Sequence, residues 1–144
     1  MKKTVTFFTL FLLSPFLMAQ DITEGLWFNE EKDAKIRFYE QDGKLFGKIT
    51  WLKEPKENGK DRVDKHNPRP ELRNKPLAGL VFLTGFEKDG KNWKNGEIYD
   101  PKSGKTYASS IKWAGDRQLN ITRVYRGFTD REDHKVYPGG INCR

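Results

Sequence analysis

Residues 34–52 read AKIRFYEQDGKLFGKITWL, and their rhythm decides the fold. Ala34, Ile36 and Phe38 alternate with Lys35, Arg37 and Tyr39, so one face is apolar and the other polar, the period of a half-buried strand. Gln41-Asp42-Gly43-Lys44 supplies a turn, because Gly43 can take the positive φ that a tight hairpin return demands. Leu45 to Leu52 is the return strand, with Leu45, Gly47, Ile49 and Trp51 expected on one face.

The same pattern recurs on both sides. Gly25-Leu26-Trp27-Phe28 is a short apolar opening strand. Gly79 to Phe86, Trp93 to Asp100, Lys105 to Trp113 and Gln118 to Thr122 are further strands, separated by Lys88-Asp89-Gly90-Lys91, Asp100-Pro101-Lys102-Ser103-Gly104-Lys105 and Ala114-Gly115-Asp116-Arg117. Turns at this spacing, with no long 3.6-residue stripe, predict an all-β antiparallel meander closing into a small barrel or open barrel. Residues 53–79 break the rhythm with Pro55, Pro68, Pro70 and Pro76 and many charges. They read as a long loop with one helical turn around Glu71-Leu72-Arg73, and loops of that length are usually functional or mobile.

The 144 residues suffice for one domain, and 33% charged with 35% hydrophobic residues excludes a multi-span helical membrane protein. The net charge of +7 does not point to nucleic acid. Residues 20–122 carry 20 basic and 17 acidic residues with the signs interspersed, which is a solvated surface rather than a phosphate-tracking stripe.

Lys2 and Lys3 precede an apolar run over residues 4–18, and Ala19 offers a small residue before Gln20 and Asp21. That is the layout of a secretory signal peptide, so residues 1–19 are expected to be a helix foreign to the domain. Cleavage near Ala19-Gln20 would release a periplasmic or extracellular protein with no stable membrane anchor. Residues 20–122 then form the β domain. The single Cys143 permits no internal disulfide and no cysteine-based zinc site.

Several stretches resemble a family of small secreted bacterial proteins, family 2147 among the domains of unknown function. They are Gly25-Leu26-Trp27, residues 42–49 (DGKLFGKI), 64–68 (DKHNP), 72–79 (LRNKPLAG), and Trp93 with 96–107 (GEIYDPKSGKTY). The resemblance spans roughly residues 24–122 and brings no activity with it. Gly25-Leu26-Trp27 is also similar to the opening of lipocalin-type barrels. By that resemblance, Trp27 would pack at the closed end against an Arg of the last strand.

After Thr122 the character changes: residues 129–135 read TDREDHK, and Pro138-Gly139-Gly140 follows. The family it resembles ends instead in two apolar, Gly- and Thr-containing strands. Reading one nucleotide later from Arg123 turns residues 123–138 into such a stretch under allowed codon choices. Residues 123–144 are therefore expected to be an anomalous, frameshifted tail, irregular over 129–144, leaving unpaired strand edges. A genuinely divergent tail is the alternative.

Reactive constellations are sparse. Only His66 and His134 exist, far apart, so no metal and no other cofactor is expected, and no catalytic residue is assigned. Glu97 and Asp100 point to opposite faces of a strand and make no acid/base pair. Ser109 and Ser110 are expected at the surface. Asn67, held extended by Pro68, can cap a turn. Arg73 suits a carboxylate such as Asp64 or Asp100, either as a salt bridge that pins the long loop or as an anion-binding group at a barrel mouth. Tyr99, Tyr107, Trp51 and Trp113 either line a pocket or fill the core. The ligand-binding candidates are thus Arg73, Asn67, Asp64, Tyr99, Tyr107 and Trp51. The reading is a non-enzymatic binding domain for a small apolar or amphipathic molecule. The alternative is an interaction module for another envelope protein, with a filled core; an enzyme ranks third.

Overall fold

A computed structural model of the chain describes residues 21–115, 117–124 and 131–138. The signal-peptide expectation for residues 1–19 falls outside them. Among the described residues ten strands are present: β1 (Trp27–Asn29), β2 (Ala34–Gln41), β3 (Lys44–Leu52), β4 (Lys56–Glu57), β5 (Lys60–Asp61), β6 (Val81–Asp89), β7 (Asn92–Asp100), β8 (Lys105–Trp113), β9 (Leu119–Val124) and β10 (Arg131–Pro138). Eight of them close an antiparallel barrel in the order β1-β10-β9-β8-β7-β6-β3-β2, with β1 returning to β2. The meander expected from the sequence is correct.

The β2–β3 hairpin turns through Asp42 and Gly43, at φ 52° and 72°. Two positive φ values match the right-handed twist of the flanking strands, which is why Asp-Gly works there. The long loop is ordered rather than open. It carries a 3-10 turn at Pro70–Leu72 and the small hairpin β4–β5, whose Asn58-Gly59 turn the sequence reading passed over. Gly79 N–H donates to the Ile49 carbonyl and Ile49 N–H to that of Leu80, stitching the loop's end to β3.

Two expectations need correction here. Residues 129–144 were to be irregular, with the first and last strands left unpaired. Over Arg131–Pro138 the backbone instead forms β10, paired with both β9 and β1. The reason is that a barrel missing one strand exposes two rows of backbone donors and acceptors, and any chain long enough to reach can satisfy them. The register sets Glu132 opposite Arg123 and His134 opposite Ile121. Residues 125–130 and 139–144 lie outside the described residues, as do the last-strand side chains among which an Arg partner for Trp27 was expected. The second correction concerns Ser109, which is buried rather than exposed and donates its hydroxyl to the Thr122 carbonyl at 2.8 Å.

The core is uneven along the barrel. Trp27, Phe38, Leu45, Phe86, Trp93, Leu119 and the partly buried Trp113 fill one end. Trp27 meets Phe38 edge-on at 6.2 Å and Trp113 at 5.7 Å, the arrangement that aromatic quadrupoles favour. Ile22, 1% exposed, accepts the Trp27 indole N–H at its carbonyl at 2.8 Å, so the segment before β1 plugs this end. Packing is close: a side chain on Gly47 would meet Leu83, and one on Gly96 would meet the Phe86 ring.

Candidate functional site

The opposite end is not filled. Ala34 and Ile36 of β2, Ile49 of β3, Phe82 of β6, Ile98 of β7 and Ile121 of β9 form an apolar floor beneath a cavity of about 360 Å³. Tyr99, Asp100 and Arg123 supply its polar wall, and Asn29, Glu30, Glu31, Pro101 and Lys102 its rim. Strand alternation explains the floor: residues two apart on paired strands share the inner face.

The rim is built by local turns. Asn29 Oδ1 accepts from the backbone N–H of Asp33 and of Ala34, at 3.0 and 2.9 Å, fixing the β1–β2 turn. Asp100 does the same after β7, taking the Lys102 N–H at 2.9 Å and the Ser103 hydroxyl at 2.8 Å. Its Oδ2 also lies 3.7 Å from Arg123 Nη1, and both side chains are 16% exposed. Arg123 stacks over the Tyr107 ring, 5.5 Å from its centroid.

Beside the cavity, Asp64 anchors the long loop. It is 1% exposed, and its oxygens accept the Tyr99 hydroxyl and the Asn67 side-chain N–H, each at 2.7 Å. Burial, then the hydrogen bond to the Asp64 carboxylate, hold the Tyr99 phenol well above its ordinary range. Asn67 Oδ1 accepts the Arg69 backbone N–H at 2.9 Å, the turn-capping role expected of it. Arg73 donates its Nε to the Asn67 carbonyl at 2.8 Å. Gly104, at φ 69°, lies against the His66 carbonyl, where a β-carbon would not fit. A smaller recess of about 330 Å³, lined in part by Asp64, Asn67, Leu72 and Leu80, lies beneath the loop.

The sequence candidates are thus divided. Asp64, Asn67, Arg73 and Tyr99 come together, but as a fastening between loop and barrel, with only Tyr99 reaching the large cavity. Arg73 makes its pinning contact to a carbonyl; the cation beside Asp100 is Arg123. Tyr107 packs against the core beneath Arg123. Trp51 lies outside: a register shift between Lys35 and Ile36 pairs Lys35 with Trp51 but Ile36 with Ile49, so Trp51 leaves the inner face and is 40% exposed. Arg123, the main charged group of the cavity, was missed. The alternation Leu119, Ile121, Arg123 was the available signal.

A closed eight-stranded barrel, plugged at one end by a tryptophan cluster and hollow at the other, defines a lipocalin-like class of protein. The solved structure of HP1028, a Helicobacter pylori protein described as belonging to the lipocalin family, is similar to it. The TM-score is 0.70 with 25% sequence identity, covering 84% of each chain. No curated protein matches the chain. The profile of the family described as uncharacterized proteins conserved in bacteria, domain of unknown function 2147, matches residues 25–134, and the chain belongs to that family.

Proposed function

We propose that this chain is a non-enzymatic binding domain, exported to the cell envelope, for a small amphipathic molecule held in the mouth of the barrel. The observation that carries the reading is the cavity of about 360 Å³ with five large apolar side chains below and Arg123 on its wall. At about 30 Å³ per water-sized unit, it suits a molecule of about twelve non-hydrogen atoms. The tail would rest on Ile36, Ile98 and Ile121, and the head would lie at the Asp100–Arg123 pair, where, with Glu30, Glu31 and Lys102 on the rim, an uncharged hydroxyl that both donates and accepts fits better than an ion. A filled core, the feature of the alternative interaction module, does not accord with a hollow of this size. Export rests on the leader-like residues 1–19.

Calorimetric titration with decanoate, decanol and decyltrimethylammonium tests the reading. Decanol is expected to bind most tightly, because either ionic head would set a like charge beside one member of the Asp100–Arg123 pair. Arg123→Gln, which leaves Asp100 without its cation, should weaken decanoate roughly tenfold or more and decanol less. Failure of all three to bind, or binding that survives Ile121→Trp, would overturn it.

A further inference from the structure

The outer wall of β1–β3 has a composition that the cavity does not explain. Phe28 of β1, Lys35 of β2 and Trp51 of β3 form one cross-strand row, paired Phe28 to Lys35 and Lys35 to Trp51. The Lys35 ammonium lies 5.1 Å from the Phe28 ring centroid and 5.3 Å from that of Trp51. Toward the plugged end, Tyr39 stacks on Phe46 at 5.6 Å, with the Lys48 ammonium 5.7 Å from the Tyr39 centroid. Arg37 is exposed on the same outward alternation.

Of the exposed large hydrophobic residues among those described, Trp51 lies in this wall and Val81 of β6 borders it, paired with Lys48. None of the ion pairs among the described residues involves Lys35, Arg37 or Lys48. Acidic residues lie at the turns that bound this wall, Glu30, Glu31 and Asp33 at one end and Glu40 and Asp42 at the other. Between them, on the outward face, three cations alternate with four aromatic rings.

We infer that this wall docks reversibly on an anionic lipid bilayer surface. Charge complementarity carries the choice: cations spaced among rings match phosphate headgroups above an apolar layer. Aromatic residues with lysine and arginine are the side chains that settle at that boundary. Finally, the Phe28-Lys35-Trp51 row adjoins the cavity mouth, since Asn29, Ala34, Ile36 and Ile49 beside it in sequence line the cavity. A docked barrel would therefore hold its mouth near the membrane. The inference stands whether or not the cavity takes the ligand proposed for it.

The test uses the full chain with vesicles of phosphatidylcholine, alone or mixed with phosphatidylglycerol, and with brominated acyl chains as short-range quenchers of tryptophan. Residues 1–20 are common to every variant, so differences among variants report the wall. Tryptophan fluorescence should be quenched on anionic vesicles, and Trp51→Phe should remove that quenching, because Trp27 and Trp93 are each only 4% exposed and Trp113 packs on Trp27 in the core cluster. Replacing Lys35, Arg37 and Lys48 by alanine should lower the partition constant about fivefold per residue. Added salt should lower it for the unaltered chain, a readout independent of whether the triple variant folds. Equal partition of the triple variant and the unaltered chain, quenching that persists in Trp51→Phe, or binding of an acidic peptide with none to vesicles would each overturn the inference.

Discussion

Removing the Tyr99 hydroxyl is the sharpest perturbation of the loop fastening. Tyr99→Phe deletes one of the two side-chain donors described at the Asp64 carboxylate, which is 1% exposed. A hydrogen bond to a charged group contributes about 1.5–3 kcal/mol. The expected loss is therefore about 2 kcal/mol, or roughly 8 °C in Tm for a domain of this size. Asp64→Ala should cost at least as much, because it removes both acceptors and leaves the Tyr99 hydroxyl and the Asn67 amide without them. Since the two single changes break the same contact, the double variant should lose clearly less than their sum. Urea unfolding of the four proteins, with midpoints compared at constant m, gives the coupling directly. Single variants within about 0.5 kcal/mol of the parent, or strictly additive losses, would refute the fastening.

Other predictions follow from the same geometry. Tyr99's raised pKa means that its contribution to stability is complete below pH 10 and is lost as pH rises through and beyond that value, so Tm should fall more steeply there than in Tyr99→Phe. Gly43→Val should destabilise the hairpin by about 1 kcal/mol or more in urea unfolding, because φ is 72° and a β-branched residue is strained there. Gly96→Ala should be among the most damaging single changes, read as loss of soluble folded protein, because its β-carbon would enter the Phe86 ring.

Much of the barrel was legible because its strands are half-buried, and half-burial writes a period of two into the chain. Lys105–Trp113 shows this with the boundaries expected of it. What the sequence hid was register. Thr50 is the extra residue of β3 between the pairs Lys35–Trp51 and Ile36–Ile49, and it moves Trp51 to the outer wall; no glycine or proline beside it marks the bulge. Asp64 and Asn67 were visible as polar residues beside prolines, yet their partner Tyr99 is 35 positions away from Asp64, a separation that only the closed fold brings to contact. Arg123 fell at the edge of a tail read as anomalous. The alternation ending in it is intact, and the charged stretch beyond it obscured its place on the inner face. Over Arg131–Pro138, the unsatisfied edges of β1 and β9 outweighed local composition.

The central claim, a ligand held in the barrel mouth, is tested most directly by native mass spectrometry of the protein purified from its own producing cells. The account predicts a retained small molecule, released on denaturation, that is absent from Ile121→Trp protein prepared alongside. Protein of the bare chain mass that also fails to take up added decanol would contradict it.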